Sequence, residues 1–322
     1  MSLPPRTLNT TLGIASIVLW STTVAMGRSL SEQLGPITSA CLIYLIGGIL
    51  GCGGMIVVRG ARSAPGSLDL RYVLGCGSLF ALYMLCLYGA LGLARDHRQV
   101  LEVGLLNYLW PMLTLLLSVP ILNQRASILL IPGVLVGTAG VFLTMTQNQG
   151  LPWQEPSGAI GRGLPYLLGA TAAVSWALYS TLSCRWAGGS ALQGGAVPLF
   201  MLGTGLLLAL VRLAFPEQQQ WSARAVLELL FMATSSNLAY AFWERAMRGG
   251  DLVLVASASY LTPLLSMIVS MLYLRIVPGP RLWLGCALIV AGAVTCKLAI
   301  KAPPNKMVRI PTRSTVDTRR TQ

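Results

Sequence analysis

Tyr108-Leu109-Trp110-Pro111 interrupts one long apolar run, and Tyr260-Leu261-Thr262-Pro263 interrupts another, 152 residues further on. A proline inside a helix removes one hydrogen bond and frees the carbonyl four residues earlier, here those of Asn107 and Ser259, both polar positions. The offset of 152 also relates Tyr88 to Tyr240, Ala94 to Ala246, Gly133 to Gly285 and Gly140 to Gly292, while Trp20 and Trp176 differ by 156. A single offset carried across several apolar segments marks an internal duplication.

Composition says what kind of segments these are. Of 322 residues, 54% are hydrophobic and 10% charged, and the mean hydropathy is +0.68. A soluble domain carries about 25% charged residues, so this chain lacks the charge to cover a water-facing surface, a need that lipid removes. At about 20 residues per spanning helix, apolar runs divided by polar turns place spans at 11–30, 36–58, 70–93, 98–119, 127–146, 163–184, 194–215, 222–247, 251–274 and 280–300. The expected fold is an all-α membrane protein of ten transmembrane helices in two five-helix repeats: residues 1–150 (spans 1–5) and 151–301 (spans 6–10). The long polar interval 147–162 joins them, and 302–322 form a basic tail read as disordered. Five spans per repeat is an odd number, so the second repeat enters inverted, the arrangement many secondary transporters use for alternating access.

The net charge of +13 does not point to nucleic acid, because the basic residues are dispersed over loops and gathered in the tail. With both termini in the cytoplasm, 15 of the 23 Lys and Arg fall on that side and 8 on the other, in keeping with the positive-inside rule. The localisation expected is the bacterial inner membrane, multi-pass. The seven cysteines lie in apolar segments without a CxxC pair, and the chain has one histidine, so neither a disulfide framework nor a metal site is expected. No GxxxxGK[ST], HExxH or GxSxG signature occurs, so neither an ATP motor nor an enzyme is expected, and no cofactor.

The residues that would carry function are those that lipid tolerates poorly or that converge inside the bundle. Asn107 brings an amide into hydrocarbon, where it needs a partner. Trp20, Trp110, Trp176 and Trp243 lie deep within spans one, four, six and eight, with Tyr83, Tyr88, Tyr108, Tyr179, Tyr240 and Tyr260 similarly deep. Any one of them could simply pack the bundle. As a set recurring in both halves they suit a site that cages a flat apolar ligand. Pro111 and Pro263 are candidate gating hinges. His97 and Glu102, before and within span four, are candidate polar or proton-relay groups. Gly47, Gly51, Gly133, Gly137, Gly285 and Gly292 read as small-residue packing sites between helices.

The ten spans in a five-plus-five duplication, Leu19-Trp20-Ser21-Thr22 and the glycine-rich spans five and ten resemble the drug/metabolite transporter superfamily. The stretch Glu102-Val103-Gly104-Leu105-Leu106-Asn107-Tyr108-Leu109-Trp110-Pro111 is similar to that of the bacterial aromatic amino acid exporters of the YddG type. Tyr83 with Ser78-Leu79, Trp243 with Ala239-Tyr240, and Ser259-Tyr260-Leu261-Thr262-Pro263 add to the likeness. The resemblance runs from about residue 11 to residue 300. It implies an inner-membrane exporter of phenylalanine, tyrosine and tryptophan, and of other amino acids, with a monomer as the expected state. The cavity wall it implies is Trp20, Tyr83, Asn107, Tyr108, Trp110, Trp176, Tyr240, Trp243 and Tyr260. One departure stands out: those exporters carry two adjacent histidines before span four, and here His97 follows Asp96. The competing expectation is an efflux carrier for drugs, purines or other small metabolites on the same fold; the acidic residue on which small multidrug exporters rely in span one is missing here.

Overall fold

A computed structural model describes residues 4–59, 70–93, 103–104, 106–145, 163–186, 196–274 and 280–301. Nearly all of this is helix: α1 (Pro5–Ser21), α2 (Thr23–Leu34), α3 (Pro36–Arg59), α4 (Gly77–Leu93), α5 (Trp110–Leu122), α6 (Leu130–Met145), α7 (Leu164–Trp186), α8 (Val197–Ala214), α9 (Ala223–Gly249), α10 (Leu252–Ala258), α11 (Leu261–Leu274) and α12 (Pro280–Ala299). A π-helical turn, Tyr72–Cys76, leads into α4. Among the described residues, six helical segments are long and apolar enough to cross a membrane, and shorter apolar helices at Trp110–Leu122, Leu130–Leu143, Leu252–Ser266 and Trp283–Ala299 accompany them.

Polarity is distributed as lipid requires. Val57, Leu135, Leu167, Leu213 and Leu272 face outward and exposed, whereas Ser16, Thr114, Ser180, Thr204, Glu244 and Ser259 are buried. An exposed apolar shell around a core containing hydroxyls is unfavourable in water and favourable in hydrocarbon.

Three apolar segments break where the sequence weakens the helical ladder. Between α1 and α2, the Ser21 and Thr22 hydroxyls donate to the carbonyls of Val18 (2.6 Å) and Leu19 (2.8 Å), a side-chain competition that bends helices. Residues 103–104 and 106–107 are helical, Tyr108 and Leu109 form a turn, and α5 starts at Trp110 with Pro111 in its first turn, where the missing N–H costs least. Ser259 and Tyr260 turn in the same way between α10 and α11. At both breaks the backbone tightens to bonds three residues back: Leu109 N–H donates to the Leu106 carbonyl (3.1 Å) and Thr262 N–H to the Ser259 carbonyl (3.0 Å). The Ser259 carbonyl that Pro263 frees is therefore already occupied from within the chain.

Helix packing follows the sequence offset. The most extensive contacts are α6 with α12, α3 with α8, α1 with α9 and α4 with α7. In the first pair each helix meets its counterpart 152 residues on, in the second its counterpart by order in the repeat, and the last two pairs are counterparts of each other. Close approach depends on glycine. A Cβ placed on Gly140 of α6 would stand 2.8 Å from the Gly285 carbonyl oxygen, and one on Gly292 of α12 would stand 2.8 Å from that of Gly133.

The ends of the helices sort onto two faces. On one, Asp251 accepts from Lys297 Nζ (2.6 Å), pairs with Arg6 (3.6 Å) and receives the chain start through Thr10, whose hydroxyl accepts from the Asp251 N–H (2.9 Å). The two-residue strands β1 (Arg125–Ala126) and β2 (Ile300–Lys301) pair there too, antiparallel. On the opposite face Gly35 closes α2 with φ 86°, a left-handed conformation suited to glycine, and Pro36 starts α3. There Glu217 accepts from the Ile37 N–H (3.0 Å), the Thr38 N–H (2.8 Å) and the Thr38 hydroxyl (2.7 Å).

Candidate functional site

Four helices from distant parts of the chain each send one tryptophan to the same point. Trp20 comes from the end of α1, Trp110 from the start of α5, Trp176 from the middle of α7 and Trp243 from α9. Each ring touches the other three, with centroids 5.2 to 6.5 Å apart. The angles run from 35° between Trp176 and Trp243 to 86° between Trp110 and Trp243. Tilted and edge-to-face arrangements suit the ring quadrupole, and such pairs add about 0.5–1.5 kcal/mol each beyond burial. The breaks in the helices set the site's shape. Trp20 lies one residue before the Ser21–Thr22 bend, and Trp110 opens α5 directly after the Tyr108–Leu109 turn.

A second layer of rings extends the cluster. Tyr240 lies 5.5 Å from Trp20 and 5.7 Å from Trp176, and Tyr83 lies 4.8 Å from Trp176. Phe80 meets Tyr240 at 5.1 Å and Tyr179 at 5.6 Å. The hydroxyls of Tyr44 and Tyr240 are 2.9 Å apart, linking α3 to α9. Neither Tyr44 nor Phe80 stood among the expected site residues. Tyr44 lies three residues before Gly47 in a helix read as scaffold, and Phe80 follows Ser78-Leu79 without a polar handle; depth within a span was the one available signal for both.

The polar groups at the cluster divide into satisfied and unsatisfied. Trp243 Nε1 donates to the Ser180 hydroxyl at 3.1 Å. The indole N–H groups of Trp20 and Trp176 are buried without a protein partner, as is the Asn107 side-chain oxygen. Asn107 stands beside the Tyr83 side chain and precedes Trp110 by three residues. Buried polar atoms normally have partners, so these open groups, with the Tyr179 hydroxyl beside Trp176 also unpartnered, are available to a ligand with complementary polar ends.

The remaining candidates fall elsewhere. Tyr108 is partly buried and packs against the aromatic core. Tyr260 is fully buried in the same core as Trp110, Trp176 and Trp243, and its ring lies over Gly137 of α6, 3.2 Å from where a Cβ there would be. Pro111 and Pro263 sit just after the two turns, both buried. His97 and Glu102 lie outside the described residues. Glu244 is held by Arg248 (3.6 Å), an i,i+4 pair within α9. Among the described residues no group of His, Cys, Asp and Glu could hold a metal ion.

Comparison with known proteins fits this geometry. The model of the EamA-like transporter family matches twice, at residues 9–146 and 163–296. The protein named aromatic amino acid exporter YddG from Salmonella typhimurium is 33% identical over 297 residues, covering 91% of this chain and 97% of its own length. Its namesake from Escherichia coli is 32% identical over 294 residues, with the same coverage of both. That of Ancylobacter novellus is 31% identical over 303 residues, covering 91% of this chain and 98% of its own. A solved crystal structure superposes with TM-score 0.76 at 29% identity, covering 91% of this chain and 98% of that one.

Proposed function

Since this chain belongs to the EamA-like transporter family, we propose that it exports aromatic amino acids across the bacterial inner membrane. The observation that carries this reading is the mutual contact of Trp20, Trp110, Trp176 and Trp243. Four indoles from four helices form a surface that a phenyl, phenol or indole side chain can stack on by parting them, and it lies where the helical ladder is already broken.

The proposed architecture is ten transmembrane helices in two inverted five-helix repeats, residues 1–150 and 151–301, followed by the tail 302–322. It is supported by the two separate family matches, by the 152-residue offset and by helix pairing that respects that offset. The face bearing Arg6, Arg125, Lys297 and Lys301 is assigned to the cytoplasm on the positive-inside rule, which puts both termini there. The working unit is a monomer.

Transport proceeds by alternating access. Asn107, Tyr83, Tyr108, Tyr240 and Tyr260 join the four tryptophans around the substrate. The turns before Pro111 and Pro263 let the halves of their helices swing separately, because no continuous hydrogen-bond ladder stiffens them. The Asp251–Lys297 pair on one face and the Glu217–Thr38 contacts on the other tie different helices, as two closures must if they open in turn.

Export in cells tests this reading. Overproduction in a bacterium stripped of its own aromatic exporters should raise tryptophan and phenylalanine in the medium and confer resistance to toxic ring-fluorinated phenylalanine. Unchanged resistance and medium content, with protein present in the membrane, would overturn it.

A further inference from the structure

The substrate's ring accounts for the stacking surface but not for four unpartnered polar groups beside it: the Tyr179 hydroxyl, which can donate or accept, and three groups of fixed polarity. Two of them, the indole N–H groups of Trp20 and Trp176, are donors only; the third, the Asn107 oxygen, is an acceptor. They lie in one neighbourhood: the rings of Trp20 and Trp176 are 5.6 Å apart, Tyr83 is 4.8 Å from Trp176, and Asn107 lies beside Tyr83 and three residues before Trp110, whose ring is 6.5 Å from Trp20 and 6.2 Å from Trp176. Asn107 also ends the helical stretch before the Tyr108–Leu109 turn, where the last carbonyls of a helix carry partial negative charge.

Resting on the exporter reading, we propose that the site recognises the zwitterionic main chain of an amino acid with neutral groups alone. The N–H groups of Trp20 and Trp176 donate to the α-carboxylate, and the Asn107 oxygen accepts from the α-ammonium. A carboxylate accepts two N–H donors readily, and bonds to ionised groups are the stronger class. No ionised side chain takes part, so a ligand with both charges leaves the site neutral. One with a single charge strands that charge in a low-dielectric interior, which is costly. The selection is therefore for a ligand with both charges on one carbon as well as for an aromatic ring.

Competition in proteoliposomes tests the proposal, with labelled tryptophan as the transported probe and tryptophan, tryptamine and indole-3-propionate as competitors. Tryptamine has no carboxylate and indole-3-propionate no ammonium, while all three share the indole. Each analogue should compete at least tenfold more weakly than tryptophan. Replacing both donors conservatively, Trp20→Phe with Trp176→Phe, keeps aromatic rings and should weaken tryptophan binding about tenfold or more. Asn107→Asp adds a negative charge at the ammonium subsite. It should improve tryptamine relative to indole-3-propionate, a reversal that loss of structure cannot produce. If tryptophan is transported but both analogues compete equally with it, or Asn107→Asp leaves their order unchanged, the proposal fails and the exporter reading stands. If tryptophan is not transported at all, both fail.

Discussion

Trp20 and Trp176 meet at 5.6 Å with their planes 74° apart, one from the first described helix and one from the seventh, each at the corresponding place in its half of the sequence. The contact joins the two halves at a position where each helix would otherwise bury a lone indole.

Truncation of these rings should separate function from folding. Trp20→Ala, Trp110→Ala and Trp176→Ala should each lower tryptophan transport at least tenfold, since each removes contacts with three other indoles. Membrane abundance should stay within about twofold of the parent. Quantitative immunoblotting beside uptake assays checks both, and unchanged transport in all three would contradict the stacking surface.

Pro111→Ala and Pro263→Ala restore the N–H groups that the two helices lack. Each should slow turnover several-fold while leaving the tryptophan KM within about twofold, because the change stiffens a hinge without touching the ligand. Initial rates over a tryptophan concentration series separate the two parameters, and an unaltered maximal rate in the double variant would argue against hinging there.

The crossing of α6 and α12 leaves no space for a methyl group. A Cβ on Gly292 would press on the backbone of Gly137 and stand 2.8 Å from the Gly133 carbonyl oxygen, and backbone does not yield as a flexible side chain does. Gly292→Ala should therefore cost about 1–3 kcal/mol. Gly203→Ala, where nothing lies within 4 Å, should be neutral or slightly stabilising through helix propensity. Thermal unfolding of detergent-purified protein compares the pair.

How much of this was legible in the residues depends on which level is asked. Pro36 and Gly35 mark the turn between α2 and α3, and the apolar runs mark most helices to within a few residues, because lipid imposes length and hydropathy directly on sequence. The bend at Ser21–Thr22 went unread, since hydroxyls bonded back to helical carbonyls leave no trace in hydropathy. Trp20, Trp110, Trp176 and Trp243 could be named together from their depth in four spans. Their convergence could not be measured, because it depends on how α1, α5, α7 and α9 cross. The same ignorance left Tyr44 and Phe80 out.

Asp251 gives a pH dependence with a definite sign. Burial acts to raise its carboxyl, but the hydrogen bond from Lys297, the Leu254 N–H and the charges of Lys297 and Arg6 outweigh this and hold it below the usual carboxylate range. A carboxyl lowered in the folded state contributes stability that is present above its unfolded value of about 3.9 and lost as pH falls through the folded value. The parent protein should be more heat-stable than Asp251→Asn at pH 7, and the gap should shrink steadily below about pH 5. Asparagine still caps α10, so the comparison isolates charge. A gap that does not change with pH would remove the charge from the account.

The most direct measurement is uptake by proteoliposomes of the purified protein, offered labelled tryptophan, phenylalanine, threonine and a cationic dye, with and without a pH gradient. The account predicts saturable uptake of tryptophan and phenylalanine, lost when Trp20 and Trp176 are both replaced by alanine. Gradient-driven movement of the dye with no amino acid uptake would contradict it and make the protein a drug carrier on the same fold.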